Sequence, residues 1–216
     1  MDQSNTSKNL LYLFAAVAGA GLIIYGAFFY TKPNAPTGQK AQISSPQDEI
    51  SAQPMFEDQI LGDPSAPVTM VEYASYLCGF CAQFAQETFP LIEEKYINTG
   101  KVKFIYRSFP PIELGMALSC AYDQGKFWEY HKFVLDKAIS TEDDLTQYAG
   151  DLGLVKEDFR VCLANKKYQN QAEYWYNEGH KQGVEGTPTF FINETKIVGA
   201  LPFAEFEKAI EEALNK

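Results

Sequence analysis

The sequence predicts an α/β domain whose strands form two groups separated by a long helical block, preceded by a single transmembrane helix. Three observations predict this: an uncharged stretch near the N-terminus, an element order of strand–helix–strand, helices and hairpin–helix, and two cysteines where the first strand meets its helix. The 216 residues are 46% hydrophobic and 21% charged, which argues against a disordered, collagen-like or polytopic membrane protein. A net charge of −10 argues against a nucleic-acid-binding protein.

Residues 10–30 contain no charged side chain and follow a short N-terminal tail, residues 1–9. At about 1.5 Å per residue, this stretch reaches roughly 31 Å, the thickness of the hydrocarbon core of a bilayer. A cleaved signal peptide is the alternative, but its apolar core usually has only about 7–15 residues. We therefore predict an uncleaved transmembrane anchor, then a flexible linker at residues 31–55, which is rich in Pro, Ser and Gln.

The globular part, residues 56–216, begins with a strand–helix–strand unit. Residues 67–74 are mostly apolar, which is typical of a strand buried on both faces. A helix is predicted over about residues 79–98, with a kink at Pro90, and a second strand over residues 102–106. This order is typical of two parallel strands joined by a helix.

Helical periodicity then continues from residue 112 to about residue 180. We predict a helical insertion over about residues 112–182, interrupted at three glycines, Gly125, Gly150 and Gly153. A short hairpin follows, with strands at residues 189–193 and 196–198. A final amphipathic helix begins at Pro202.

The predicted chemistry lies in Cys78-Gly79-Phe80-Cys81, at the junction of the first strand and its helix. The spacing allows a reversible disulfide across one turn, and the start of a helix stabilises a thiolate. Cys78 should be exposed and react with substrates, while Cys81, one turn inside, resolves the mixed disulfide. Half of a zinc site and an inert disulfide are the alternatives, but zinc usually needs four ligands and there is no second such pair. We predict no metal and no cofactor.

Two further features support redox chemistry. Glu72 interrupts an apolar strand six residues before Cys78, where a buried carboxyl would be costly and therefore suggests a function. The alternative is an edge position open to solvent. Thr187 and Pro188 directly precede the second group of strands, and the isomer of that proline is not visible from the pattern.

The chain resembles the DsbA-like thiol:disulfide oxidoreductases of the thioredoxin superfamily over about residues 61–216. The resemblance rests on five segments in the right order, residues 62–69, 76–81, 125–131, 183–193 and 198–200. It implies a thioredoxin fold with an inserted all-helical domain. It also implies work outside the cytoplasm, where disulfides persist, which fits a single-span anchor with the globular domain outward.

The resemblance also implies roles for residues around the cysteines. Pro188 would be cis and pack against the pair, and the Thr187 backbone would bind a substrate peptide as a short strand. We also predict that Phe80 lies on the substrate-binding side. Glu72 would be a buried acid that exchanges protons with Cys81. Trp128 and His131 are assigned to the insertion, with no catalytic role.

The direction of electron flow stays open at this point. Strong oxidases of the family carry Cys-Pro-His-Cys, whereas Gly79-Phe80 and Thr187 are more similar to the disulfide isomerases, which generally need a dimerisation module that the sequence does not show. We predict an anchored oxidase that forms disulfides in exported proteins and is reoxidised by a quinone-linked membrane partner. A reductase or isomerase is the alternative, followed by a non-catalytic chaperone or metal-binding module.

Cys120 and Cys162 fall in separate helices of the predicted insertion, on or near their apolar faces. Two buried thiols acting as small hydrophobic side chains would suit these positions. In an oxidising compartment, however, a structural disulfide between them is favoured.

Overall fold

A computed structural model describes residues 54–135 and 137–216. The predicted tail, the transmembrane anchor and almost all of the linker lie outside the described residues. Within the described ranges, every helix is too short or too polar to cross a membrane.

A five-stranded mixed sheet forms the centre of the fold, in the order β1-β3-β2-β4-β5. Its strands are β1 (Ile60–Leu61), β2 (Val68–Ala74), β3 (Val102–Ser108), β4 (Thr189–Ile192) and β5 (Thr195–Val198). β2 is parallel to β3, and the other neighbouring pairs are antiparallel. The predicted strands form within two residues of their expected bounds, except that β1 was not predicted. A strand of two residues is too short to show a periodicity.

The predicted helix after the cysteines forms, but its winding changes twice. It comprises α1 (Gly79–Gln83), a π-helical stretch (Phe84–Thr88), α2 (Phe89–Ile92) and a second π-helical stretch (Glu93–Ile97). Pro90 lies in the first turn of α2, where its missing N–H and its ring do not fit a continuous α-helical ladder. The predicted kink therefore takes the form of π-helical turns on both sides of Pro90.

The described residues between β3 and β4 form five helices. These are α3 (Ile112–Tyr122), α4 (Phe127–Val134), α5 (Glu142–Asp151), α6 (Lys156–Ala164) and α7 (Gln169–Lys181). Gly125 and Gly153 adopt φ values of +70° and +81° between helices, a conformation that favours glycine. Gly150 lies inside α5, so the interruption predicted there is wrong. Thr141 and Asp144 form a capping box that starts α5.

The final helix, α8 (Phe203–Leu214), packs its apolar face on the sheet. The ring of Phe206 lies 4.9 Å from that of Phe190 on β4 and 5.1 Å from that of Phe84 in the first π-helical stretch. All three side chains are fully buried. The sheet and the helix that carries the cysteines therefore share one hydrophobic core, and the core continues into the insertion.

Two sets of contacts tie the insertion together and to the sheet. A disulfide joins Cys120 on α3 to Cys162 on α6, with their Cα atoms 5.9 Å apart. Asp58, which precedes β1, makes the second set of contacts. It accepts a hydrogen bond from Arg107 of β3 at 2.6 Å and one from Trp175 of α7 at 3.2 Å. The chain just before β1 is thus fixed to both the sheet and the insertion.

Candidate active site

The two cysteines predicted to be catalytic lie at the start of α1, both as free thiols. Cys78 is the N-cap residue, and its sulfur accepts a hydrogen bond from the Cys81 backbone N–H at 3.4 Å. Cys81 lies one turn later and is only 2% exposed, whereas Cys78 is partly exposed. The structure thus places one thiol where a substrate can reach it and the other behind it.

The surroundings of Cys78 favour its thiolate. Partial burial acts to raise the pKa of this thiol, but hydrogen bonds with the side chains of Cys81 and Thr187 and with the backbone N–H groups of Cys81 and Phe80 outweigh it. The pKa of Cys78 therefore lies below the ordinary value of a cysteine. Since the thiolate is the nucleophile, Cys78 is the more reactive sulfur of the pair.

Cys81 has the opposite environment. Burial raises the pKa of its thiol far above the ordinary value, and hydrogen bonding with Cys78 and the charge of Glu72 raise it further. At neutral pH Cys81 therefore holds its proton. It can attack another sulfur only if a neighbouring group accepts that proton.

Glu72 is the carboxyl next to this buried thiol. It lies on β2, is 5% exposed and lines a small cavity together with Cys81. β2 is an interior strand, and Glu72 pairs with Tyr106 of β3 on one side and with Phe190 of β4 on the other. The edge-strand alternative for Glu72 is therefore wrong. Burial, and then the charge of Cys78, raise the pKa of the Glu72 carboxyl to about 8, so it can exchange a proton near neutral pH.

The loop before β4 completes the site. The Thr187–Pro188 peptide bond is cis, and the Cys78 thiol donates a hydrogen bond to the Thr187 carbonyl oxygen at 3.2 Å. The Pro188 carbonyl accepts a hydrogen bond from the Gly199 N–H at 2.8 Å, which holds the loop against the end of the hairpin. Phe80, between the cysteines, is 67% exposed. The structure therefore brings Phe80, Thr187 and Pro188 to the accessible side of Cys78, and Glu72 to its buried side.

Three aromatic residues at this site were not predicted to belong to it. His131 of α4 is 4% exposed and lines the same small cavity as Glu72 and Cys81. Its Nδ1 lies 2.8 Å from the hydroxyl of Tyr76, and its ring centroid is 4.1 Å from that of Tyr106. The sequence places Tyr76 two residues before Cys78 and His131 in a segment of the resemblance, but no periodicity shows that α4 packs over the cysteines.

No group of three or more His, Cys, Asp or Glu side chains in residues 54–135 and 137–216 has a geometry that could hold a metal ion. The arrangement that does exist is a dithiol with one reactive sulfur, one buried sulfur and an adjacent carboxyl. This arrangement suits thiol–disulfide exchange, in which a thiolate attacks a disulfide and a mixed disulfide forms.

Residues 56–212 match the sequence profile of a family described as Thioredoxin. The chain belongs to the thioredoxin family. Among curated proteins, it is 28% identical over 183 residues to "Disulfide bond formation protein D" of Bacillus subtilis, which covers 78% of this chain and 82% of that protein.

Solved structures of the family agree with this membership. The chain resembles oxidised BdbD from Bacillus subtilis with a TM-score of 0.69 and 25% identity, covering 74% of this chain and 94% of that one. It resembles α-DsbA1 from Wolbachia pipientis with a TM-score of 0.67 and 29% identity, covering 77% and 96%. The thioredoxin-like α/β fold is therefore confirmed. This family member is a DsbA-like thiol:disulfide oxidoreductase, so an enzyme is favoured over a non-catalytic module.

Replacing Phe80 by histidine should make the active-site disulfide more oxidising. An imidazolium beside Cys78 would stabilise its thiolate and hence the reduced form of the pair. Because position 80 is 67% exposed, water screens this interaction, and we expect the reduction potential to rise by only about 10–30 mV. Equilibration against glutathione buffers measures the reduction potential. Thiolates absorb at about 240 nm, so absorbance near that wavelength follows the titration of Cys78. An unchanged or more negative potential would mean that the dipeptide does not determine it.

Proposed function

We propose that this protein is a membrane-anchored oxidase that transfers the Cys78–Cys81 disulfide to exported proteins outside the cytoplasm. The observation that carries this proposal is the partly exposed Cys78 sulfur at the start of α1, which accepts a hydrogen bond from the Cys81 backbone N–H, with the buried Cys81 thiol behind it. Stabilising the Cys78 thiolate stabilises the reduced pair, and a stabilised reduced form makes the disulfide a stronger oxidant.

The reaction begins when a substrate thiolate attacks the Cys78 sulfur of the oxidised pair. The Cys78–Cys81 bond breaks, a mixed disulfide forms between the substrate and Cys78, and Cys81 leaves as a thiolate that takes a proton from Glu72. A second substrate thiolate then attacks the substrate sulfur of the mixed disulfide. The substrate gains a disulfide, Cys78 leaves as a stable thiolate, and the enzyme has accepted two electrons.

The substrate peptide is proposed to lie along the loop of Thr187 and Pro188. When Cys78 is in a disulfide it has no proton to donate, so the Thr187 carbonyl becomes available to a peptide N–H. The exposed ring of Phe80 offers an apolar contact beside the sulfur. These contacts would hold an unfolded chain by its backbone, with little dependence on its sequence.

Two observations support the proposed compartment and partner. The Cys120–Cys162 disulfide suits an oxidising compartment, and residues 10–30 have the length and composition of a membrane anchor. The reduced enzyme must pass its two electrons to an oxidant before the next turnover. We propose a quinone-linked membrane protein for this step, because an anchored enzyme can meet such a partner in the plane of the bilayer.

A reductase or isomerase is the second candidate, favoured by the uncharged Gly79-Phe80 dipeptide. These activities require the cysteine pair to be kept reduced. Acid quenching of cells followed by thiol alkylation separates the two candidates. We expect Cys78 and Cys81 to be mostly oxidised, and a mostly reduced pair would favour the second candidate.

The roles of the two cysteines are tested by trapping. Cys81→Ala should accumulate mixed disulfides with exported proteins, because the resolving thiol is gone and Cys78 can still react. Cys78→Ala is the matched control and should trap none, because Cys81 is buried. Non-reducing gels and mass spectrometry of the adducts measure this. Equal trapping by the two variants would contradict the assignment.

A further inference from the structure

The proton of Cys81 has to leave a buried site in every turnover. Cys81 is 2% exposed and Glu72, its proposed proton partner, is 5% exposed. The partly exposed Cys78 carries the substrate at the moment when Cys81 reacts, so the bound chain covers that side. A route on the opposite side of Glu72 is therefore needed.

Two adjoining spaces lie on that opposite side. The first, here called the inner cavity, is narrow and has a volume of about 10 Å³. Its lining is mainly apolar, with polar groups from Glu72, Cys81 and His131, among others. The second, here called the outer cleft, is open and has a volume of about 290 Å³. A polar space of about 10–15 Å³ is enough for one water molecule. The inner cavity is just large enough for one water, and Glu72, Ser75 and His131 supply polar groups in its lining.

His131 is the polar group in the wall between these spaces. Four described residues line both of them: Ala85, Phe89, His131 and Leu135. Since the other three are apolar, the imidazole is the group among the described residues of this wall that can hydrogen-bond to a water carrying the proton.

The ring of His131 is held in place from two sides. Its Nδ1 is hydrogen-bonded to the Tyr76 hydroxyl at 2.8 Å, and the Tyr106 ring packs on it with centroids 4.1 Å apart. With Nδ1 engaged, Nε2 is the nitrogen left for water. We propose that His131, oriented by Tyr76, is a positioning residue that holds a water in the inner cavity and so forms the exit for the proton shared by Glu72 and Cys81.

This inference rests on the proposed exchange at Cys78 and Cys81 and holds in either direction of electron flow. When the dithiol reduces a disulfide, Cys81 gives its proton to the Glu72 carboxylate and its thiolate attacks Cys78. The Cys78–Cys81 bond forms, the bond from Cys78 to the substrate breaks, and the substrate sulfur leaves with the electron pair. Glu72 then releases the proton to the inner cavity and the outer cleft. Oxidation of a substrate runs the same steps in reverse.

His131 itself stays neutral through this exchange. Burial, and then the charge of Lys132, lower the pKa of its imidazole to about 3. Among the described residues, the other ionisable groups that face it or its cavities are Glu72 on β2, Tyr76 before α1, Cys81 on α1, Glu93 in the second π-helical stretch, Tyr106 on β3 and Lys132 on α4. Burial raises the pKa of both tyrosines, and Glu93 pairs with Lys132 at 2.6 Å. Between pH 5 and 9, the pH dependence of proton release along this route therefore follows the titration of Glu72.

The test separates the two chemical steps of the reduced enzyme with excess oxidised glutathione. Stopped-flow mixing between pH 5 and 9 measures the rate at which Cys78 attacks glutathione and the rate at which Cys81 then resolves the mixed disulfide. The Cys81→Ala variant shows the first rate alone. In His131→Ala we expect the attack by Cys78 to be unchanged and the resolution to slow at least about tenfold below pH 8. Tyr76→Phe, which keeps the ring but loses the hydrogen bond, should slow the resolution by a smaller factor.

Added imidazole is the decisive control. In His131→Ala, the space left by the side chain adjoins the outer cleft, so imidazole should enter it and restore most of the resolution rate. It should not do so in His131→Phe, where the phenyl ring fills that space. His180→Ala is the matched control, because His180 is the other histidine of the chain and is exposed on α7; it should behave as the wild type with and without imidazole.

Several outcomes would overturn the inference. These are an unchanged resolution rate in His131→Ala and Tyr76→Phe, an equal slowing of both steps, or a slowed resolution in His131→Ala that imidazole does not restore. If urea titration shows that His131→Ala is unfolded, the resolution rate of Tyr76→Phe alone tests the inference. Absence of exchange in the wild type would overturn the proposed function as well, whereas normal exchange with wild-type behaviour of the variants would remove only the role of His131.

Discussion

Replacing Glu72 by glutamine is expected to make the reduced protein more stable at pH 8, by up to about 5 kcal/mol, and to leave its stability at pH 4 nearly unchanged. The carboxyl ionises near 4.5 when exposed, as in the unfolded chain, but its pKa is raised to about 8 in the fold. Between these values the folded protein holds a proton that the unfolded chain has lost. The free energy of unfolding of the wild type therefore falls by about 1.4 kcal/mol per pH unit over this range and levels off above pH 8.

Urea unfolding at half-unit steps from pH 4 to pH 9 measures this effect. The difference between wild type and Glu72→Gln removes the titration of all other groups. Glu72→Leu should be stabilised at least as much, because it also removes the cost of burying a neutral carboxyl. Both variants should exchange disulfides more slowly at neutral pH, since Cys81 loses its proton acceptor. Parallel stability curves for wild type and Glu72→Gln would show that Glu72 has an ordinary pKa in the fold.

Removing the Cys120–Cys162 disulfide with the double variant Cys120→Ala/Cys162→Ala is expected to cost about 4 kcal/mol of stability. The bridge joins residues 42 positions apart in sequence and restricts the unfolded chain accordingly. The value comes from the chain-entropy account of disulfides, in which longer closed loops gain more. Both cysteines are also buried, so the loss of their sulfur atoms adds a packing cost.

Guanidinium unfolding of the oxidised proteins measures the loss, and mass spectrometry of non-reduced peptides identifies the bridge. The matched control is Cys78→Ala/Cys81→Ala, which removes the other two cysteines and keeps the bridge. A midpoint equal to that of the wild type, or two free thiols at Cys120 and Cys162 in protein purified without reductant, would contradict a structural role.

Local features of the sequence were sufficient to predict most elements of the fold. The apolar run of β2 and the hairpin of β4 and β5 each show in a few consecutive residues, because strand periodicity and turn chemistry act over short distances. The position of Cys78 at a helix start depends on the same local information. For this reason, the sequence alone predicted the dithiol and which sulfur lies outward.

The surroundings of that dithiol were decided only by the tertiary structure. Glu72 is buried because β2 pairs with strands on both sides, and one of these, β4, is distant in sequence. His131 reaches the inner cavity because α4 packs over β3, which its own amphipathic pattern does not specify. Strand pairing and helix packing depend on many contacts between segments that are distant in sequence. Periodicity indicates only which face of an element is buried, so it does not identify the partner of that face. The sequence by itself thus determined the position of the two thiols at the start of the helix and their order, and the tertiary structure decided which side chains surround them.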